Sequence, residues 1–147
     1  VAPVLDRAQS IQITKSVNSE PGEKRGSDTM GMKHRVDHGV YVFYGSMNPQ
    51  LASLTGFSDE DALRLKEALK TLFRDDASSA RPEGSMEVHK LFWWEHTSPN
   101  GQYSSAKVHR LLDVHLKPGV DEPNSIEDYE IVLNNLPDLA CESLDGE

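Results

Sequence analysis

Cysteine is almost absent from this chain of 147 residues, in which Cys141 is the single example. One cysteine excludes an internal disulfide and any cysteine-rich zinc site, and a lone thiol fits the reducing cytoplasm. Apolar runs are short as well, and none approaches the roughly 20 residues that a helical membrane span requires. Residues 1–6 do not match the pattern of a secretory signal peptide. The sequence therefore predicts a cytoplasmic protein that does not enter a membrane.

Basic residues are missing from the C-terminal part of the chain. Residues 118–147 contain nine Asp and Glu but no Lys or Arg. The preceding residues hold all 15 basic residues and 15 acidic ones, so they are formally neutral although the whole chain has a net charge of −9. A neutral body with a local basic patch still attracts phosphate, so the acidity does not exclude RNA as a ligand. We expect residues 137–147 to form an acidic tail that frays.

Hydrophobic periodicity predicts an α+β fold with a largely antiparallel sheet. Period-two alternation, or a density of β-branched and aromatic residues, predicts strands at residues 10–17, 40–44, 88–94, 108–116 and 129–133. The run 40–44 is apolar on both faces, which is typical of a central strand. Trp93 and Trp94 fall on opposite faces of their strand, so we expect one in the core and the other free to contact a partner or a base.

One long helix is predicted to begin after Ser58. Its hydroxyl is placed to cap the first turn, and Asp61 occupies the reciprocal position of a capping box. Acidic residues crowd the first turn, whereas Lys70 and Arg74 lie near the end, as the helix dipole favours. The predicted buried stripe has helical spacing and consists of Ala62, Leu65, Leu69, Leu72 and Phe73.

Residues 18–33 are polar and rich in glycine, which predicts a long loop or an extended hairpin that projects from the body, and the basic residues of this segment continue to Arg35. Cations supply phosphate contacts, and exposed methionines wedge against unstacked bases. The candidate RNA-binding residues of this segment are Lys24, Arg25, Met30, Met32, Lys33, His34 and Arg35. Taken alone, the same composition also fits an ordinary solvated loop.

Patterns of catalytic, metal-ligating or nucleotide-binding residues are not present. The six histidines do not have the spacing of a known zinc motif, and no glycine-rich phosphate loop occurs. Ser104 and Ser105 lie close to His109 in sequence, but no third group that would orient the histidine is indicated. The sequence therefore predicts no metal, no cofactor and no enzymatic activity.

Several segments resemble the guide-RNA-binding backbone subunit of type I-C CRISPR effector complexes, a member of the repeat-associated mysterious protein (RAMP) superfamily. Residues 28–41 read DTMGMKHRVDHGVY and resemble the family's T-M-G-R-K-H-I-V-P-Y-G-L-Y. Further matches follow in the family's order: residues 54–61 with T-G-F-S-E-E-D, 75–86 with H-D-R-S-A-A-R-G-x-M-S, 106–113 with A-P-A-H-K-L-F-D, and 125–129 with S-F-x-D-Y. Together these segments lie within residues 10–136.

The resemblance implies a partial RRM-like (ferredoxin-like) palm over residues 1–136, with a thumb-like loop or hairpin at about 16–36. Lys33 and Arg35 would neutralise phosphates of the guide RNA, and Met30 or Met32 would wedge at a displaced base. Arg81, in another matching segment, is a second candidate for a phosphate contact.

The same resemblance implies the partners. Copies of such a subunit line up along the CRISPR RNA (crRNA) of an antiviral surveillance complex, beside other subunits, and present the guide for pairing with target DNA. Members of the family are about twice as long, and their N-terminal half has no counterpart here. We therefore expect this chain to be the C-terminal portion of such a subunit, as a fragment or a split gene product. Met32 replaces the family's arginine, and Asp37 and His38 replace its Pro-Tyr.

Two alternatives remain open at the level of the sequence. In the first alternative, the chain would be an RRM-like endoribonuclease that processes guide RNA with His34, His38 or His109. In the second, it would have a protein-only role in which its acidic tail mimics nucleic acid.

Overall fold

A computed structural model of the chain describes the backbone of residues 8–15 and 29–147, and the side chains from Val36 onward. In chain order, the elements of these residues are β1 (Ala8–Lys15), β2 (Thr29–Val36), α1 (Pro49–Thr55), α2 (Asp59–Lys70), β3 (Lys90–Trp94), α3 (Ser105–His109), β4 (Leu112–Leu116), β5 (Tyr129–Leu133) and β6 (Cys141–Asp145). A 3₁₀ turn, Ile126–Asp128, precedes β5. The α+β class predicted from the sequence is confirmed.

The chain is divided into two units. Unit 1 consists of Val1–Phe43 and Asp113–Val132, and unit 2 consists of Tyr44–Leu112 and Leu133–Glu147. Within the described residues the strands form three two-stranded sheets, in which β1 pairs with β2, β3 with β6, and β4 with β5. The first two pairs are antiparallel, as predicted, whereas an RRM-like palm stays a prediction. No helix in this part of the chain is both long and apolar enough to cross a bilayer.

Helix α2 begins as the sequence predicted. The Ser58 hydroxyl accepts a hydrogen bond from the Asp61 backbone N–H at 3.2 Å, and the Asp61 carboxylate accepts one from the Ser58 N–H at 2.9 Å. These reciprocal bonds satisfy two backbone donors that the helix leaves free. The bond from the Ser58 N–H also holds the pKa of Asp61 below its ordinary value.

The run 40–44 does not form the central strand that we predicted. These residues have no regular secondary structure, and Tyr41, Phe43 and Tyr44 are exposed. β-propensity measures how well a side chain packs on a half-buried sheet, so it does not produce a strand where no neighbouring strand pairs with the segment. Among the described residues, no strand pairs with 40–44.

Residues 108–116 were also predicted as one strand, and this was wrong for the first part. Val108 and His109 end helix α3, which Ser104 caps by accepting a hydrogen bond from the Lys107 N–H at 3.3 Å. Val108 and Leu111 are both buried, three residues apart. That spacing suits one face of a helical turn, and only Leu112–Leu116 continues as strand β4.

Helix α1 was not predicted, although its ends carry recognisable signals. The Asn48 side chain accepts hydrogen bonds from the N–H groups of Gln50 and Leu51 at 2.9 and 3.2 Å, and Pro49 occupies the first helical position. Gly56 ends the helix with a φ of 79°, a left-handed conformation that glycine adopts without strain. An Asn-Pro pair followed by a glycine seven residues later is a readable helix signature.

We had expected the acidic residues after Pro137 to fray. They do not, because they pair with other residues of unit 2. Strand β6 lies antiparallel to β3, with Lys90 opposite Asp145 and Trp94 opposite Cys141. Ion pairs then join this segment to the cations around it. The pairs are Lys66 with Glu142, Lys90 with Asp145, Arg74 with Glu147, and Lys70 with Glu147.

The core of unit 2 is small. Val108, Leu111 and Leu139 are buried against one another. Around them pack the partly buried side chains of Trp94, Tyr103, Leu133 and Leu136. The Tyr103 hydroxyl donates a hydrogen bond to the Pro137 carbonyl at 3.0 Å, so the segment before β6 is held to this core by polar contact as well.

We predict that truncation of Leu139 tests whether this C-terminal segment is part of the folded core. Leu139 is 4% exposed, so Leu139→Ala should lower the free energy of unfolding by about 2–5 kcal/mol through lost burial and a residual cavity. The matched control is Leu54→Ala, because Leu54 is 82% exposed and its truncation should change stability by less than about 0.5 kcal/mol. Urea denaturation measures both, and equal effects would contradict the packing described here.

Candidate nucleic-acid interface

Strand β2 carries five of the residues that the sequence singled out for RNA binding: Met30, Met32, Lys33, His34 and Arg35. Its antiparallel register with β1 places Lys33 opposite Ile11 and Arg35 opposite Gln9. Residues directly opposite one another in an antiparallel pair share a face, and successive residues of a strand alternate between faces. The register therefore assigns each candidate to one of the two faces of this β1–β2 ribbon.

The two faces of the β1–β2 ribbon differ in chemistry. Lys33 and Arg35 share one face, and Lys15 belongs to the same face because it lies opposite Thr29. Met30 and Met32 share the other face, which carries no lysine or arginine. Sequence spacing alone did not single out Lys15, which the register adds to the cationic face.

Lys24 and Arg25 lie outside the described residues, so their assignment as RNA-binding residues stays a prediction. The residues that connect β1 to β2 also lie outside the described part of the chain, so the predicted loop is represented only by its ends, which pair as β1 and β2. The candidate interface of unit 1 is therefore built here from the ribbon alone.

Arg81 lies in unit 2, in a tight turn that follows helix α2. The Ser78 N–H donates to the Arg81 carbonyl at 2.7 Å, and the Arg81 N–H donates back to the Ser78 carbonyl at 3.1 Å. The Arg81 guanidinium contacts the Asp76 carboxylate at 3.1 Å, and its side chain is 49% exposed. Arg81 is thus accessible to a phosphate, but a carboxylate already occupies part of its hydrogen-bonding fork.

Two of the three histidines that an endoribonuclease was predicted to use, His38 and His109, make contacts of other kinds, and the side chain of His34 lies outside the described residues. His109 donates from Nε2 to the Gly45 carbonyl oxygen, 3.3 Å away, since a carbonyl can only accept. The His38 ring lies 5.8 Å from that of Tyr129, centre to centre, and its Nε2 is buried without a hydrogen bond in the described part of the chain. Ser104, once considered as a nucleophile, caps helix α3.

The two tryptophans face opposite sides of β3, as predicted. Trp94 packs against the core of unit 2. Trp93 is half-buried instead, with the Lys66 ammonium 5.4 Å above its ring centre. This cation–π contact, together with the ion pair from Lys66 to Glu142, joins helix α2 to the β3–β6 sheet.

One aromatic pair was missed by the sequence interpretation. The Tyr44 ring stacks on that of His109, with ring centres 4.8 Å apart and planes 24° from parallel. Tyr44 and His109 are distant in sequence, so no local pattern connects them. The only available signal was the aromatic run that ends at Tyr44, which we had assigned to a buried strand.

Comparison with protein families identifies one match of long extent. The family model described as "CRISPR-associated protein Cas7" matches residues 1–134. A comparison with curated proteins found no match. The match covers β1, β2, Arg81, Tyr44 and His109, so every candidate discussed above falls within it.

We predict that Asp76 limits the contribution of Arg81 to RNA binding. An exposed ion pair contributes only about 0–1 kcal/mol, so Asp76→Asn should raise the affinity for single-stranded RNA by up to about fivefold. The control is Asp75→Asn, which removes the same negative charge at the neighbouring position. Fluorescence anisotropy measures the affinities, and the gain should vanish when Arg81→Gln is added. Equal effects of the two aspartate variants would contradict a role for Arg81.

Proposed function

The chain belongs to the CRISPR-associated Cas7 family, and on that premise we propose that it is a crRNA-binding backbone subunit of a type I-C antiviral surveillance complex. In this role it acts in the cytoplasm, polymerises along the guide RNA with other copies of itself and other subunits of the complex, and presents the guide for pairing with target DNA. It binds RNA without cleaving it.

The register of the β1–β2 ribbon is the observation that supports this proposal most. A protein that holds a guide strand must neutralise its phosphates while leaving most bases free to pair. The ribbon assigns Lys15, Lys33 and Arg35 to one face and Met30 and Met32 to the other. Phosphate contacts and a base wedge are thus available from a single ribbon without competing for the same face.

The absence of catalysis is part of the proposal and is supported by the contacts of the candidate groups. The His109 Nε2 atom is engaged with a carbonyl, and the Ser104 hydroxyl caps a helix. Burial raises the pKa of the Cys141 thiol, which keeps it in the protonated and less nucleophilic form. None of these described groups is arranged as an activated nucleophile with a base.

Exposed leucines on helices α1 and α2 support the proposed assembly with other copies. Leu51 and Leu54 are three residues apart on α1, so they lie on one face of that helix, and both are exposed. Leu63 on α2 is exposed as well. Contiguous exposed apolar side chains are typical of surfaces that contact another protein, and Leu51 and Leu54 are two neighbouring ones on α1.

We predict that charge reversal on the cationic face of the ribbon weakens RNA binding in a salt-dependent way. The double variant Lys33→Glu with Arg35→Glu should lower the affinity for single-stranded RNA by more than about tenfold at low salt. It should also reduce the slope of log K against log salt by about 1.4, since two phosphate contacts are lost. Met30→Ala with Met32→Ala should lower the affinity while leaving the slope unchanged.

The matched control for this experiment is Arg64→Glu with Lys117→Glu, which changes the net charge equally at other exposed positions. Fluorescence anisotropy across a salt series measures all four proteins. If the ribbon variant and its control behave alike, the site assignment is wrong. The RNA recovered from each sample, with and without magnesium, should be intact on a denaturing gel, and a specific cleavage product would contradict a non-enzymatic role.

We predict that Leu54 contributes to packing between copies on RNA. Leu54→Glu should prevent several copies from assembling on a long RNA, because a charge would be placed in an apolar contact, while binding of one copy to a short RNA is unchanged. Arg64→Gln changes the net charge equally and is the control. Analytical ultracentrifugation measures the number of copies bound, and multimers of normal size with Leu54→Glu would exclude this surface.

A further inference from the structure

The stacked pair of Tyr44 and His109 lies in unit 2, where Tyr44 is exposed. The two rings lie 4.8 Å apart, centre to centre, and are close to parallel. His109 is held in place twice, by its Nε2 hydrogen bond to the Gly45 carbonyl and by its position at the end of α3. Helix α3 is in turn anchored to the core through the buried Val108. The Tyr44 ring therefore stacks on a histidine that is itself held by a hydrogen bond and by an anchored helix.

The Tyr44 ring remains accessible on the side that His109 does not cover. Tyr44 is 45% exposed, although one face of its ring stacks on His109. Gly45 follows directly, and a Cβ atom at this position would meet no atom within 4 Å apart from those of its two chain neighbours. An exposed aromatic ring that already stacks on a second ring has the geometry of a stacking surface.

Two basic residues lie close to His109 along the chain. Arg110 follows His109 directly, is exposed, and makes no ion pair among the described residues. Lys107 precedes it by three residues, with its ammonium 4.4 Å above the Tyr103 ring. Residues 104–112 contain no acidic residue. Arg110 thus has no carboxylate in an ion pair with it among the described residues, in contrast to Arg81, which pairs with Asp76.

We propose that Tyr44, supported by His109, is a stacking platform for an unpaired nucleobase of a single-stranded nucleic acid, and that Arg110 contacts the adjoining phosphate. The inference rests on the proposed function and adds to it a site separate from the β1–β2 ribbon. An aromatic face joined to an unpaired cation matches a nucleotide, which combines a π-surface with a phosphate. Every base has such a surface, so the platform accepts any sequence.

The experiment uses the full chain and a single-stranded RNA with a 2-aminopurine base, whose fluorescence is quenched when the base stacks. Titration with the unmodified protein should quench the probe. Tyr44→Phe should preserve the quenching, whereas Tyr44→Leu should remove it and lower the affinity by about tenfold, within the range that alanine substitution gives for base stacking. Arg110→Gln should keep the quenching but reduce the salt slope by about 0.7.

The matched control is Tyr41→Leu, because Tyr41 is an exposed tyrosine in the same segment and is not stacked on a histidine. It should leave both quenching and affinity unchanged. Tyr44→Trp is a second test variant, which is informative even if Tyr44→Leu does not fold. Its larger ring should quench the 2-aminopurine fluorescence more strongly. Circular dichroism checks that each variant is folded.

The outcomes separate this inference from the proposed function. If Tyr44→Leu quenches and binds as the unmodified protein does, or Tyr44→Trp leaves the quenching unchanged, the platform is excluded, while loss of binding in the Lys33→Glu with Arg35→Glu variant would still support the ribbon. If the folded, unmodified chain binds no single-stranded RNA, the proposed function fails and the platform with it.

Discussion

Complementary charge between β6 and its surroundings is the constraint on which unit 2 depends. Glu142, Asp145 and Glu147 pair with cations of helix α2, of the turn after it and of β3, and the β3–β6 ladder brings those groups together. Single exposed ion pairs contribute little, but a network that is fixed by strand pairing orients several at once. The acidity of this segment is thereby partly neutralised within the unit. It is accordingly a poor guide to how the chain as a whole interacts with RNA.

The buried cluster in the core of unit 2 is small. The buried cluster contains Val108, Leu111 and Leu139, while Leu54, Leu63 and Phe43 remain exposed. Apolar area that is left in water contributes nothing to stability, and burying it against another protein recovers that free energy. In the proposed assembly, exposed leucines such as Leu54 and Leu63 would be buried between copies and would recover this free energy.

Local signals allowed parts of the fold to be predicted from the sequence, and non-local contacts explain the failures. The Ser58 cap and strand Tyr129–Leu133 are specified by neighbouring residues and were predicted correctly. Residues 40–44 have the composition of a strand but no strand partner, and propensity cannot reveal a missing partner. Strand β6 failed for the opposite reason, because its cationic partners lie 55 or more residues away and net charge alone suggested a solvated tail.

The candidate site shows the same division. Resemblance to a family placed residues 29–36 in the interface, but only the register with β1 separated the cations from the methionines and added Lys15. Likewise, the sequence alone does not distinguish Arg81 from Arg110 as a phosphate contact. In the structure, Arg81 shares its guanidinium with Asp76, whereas Arg110 has no ion pair in the described part of the chain. A phosphate that contacts Arg81 must compete with a carboxylate, whereas no described carboxylate pairs with Arg110. Basic residues in such a protein should therefore be ranked as phosphate contacts by the acidic residues that surround them in space. Counting charges along the sequence does not show which acidic residues those are.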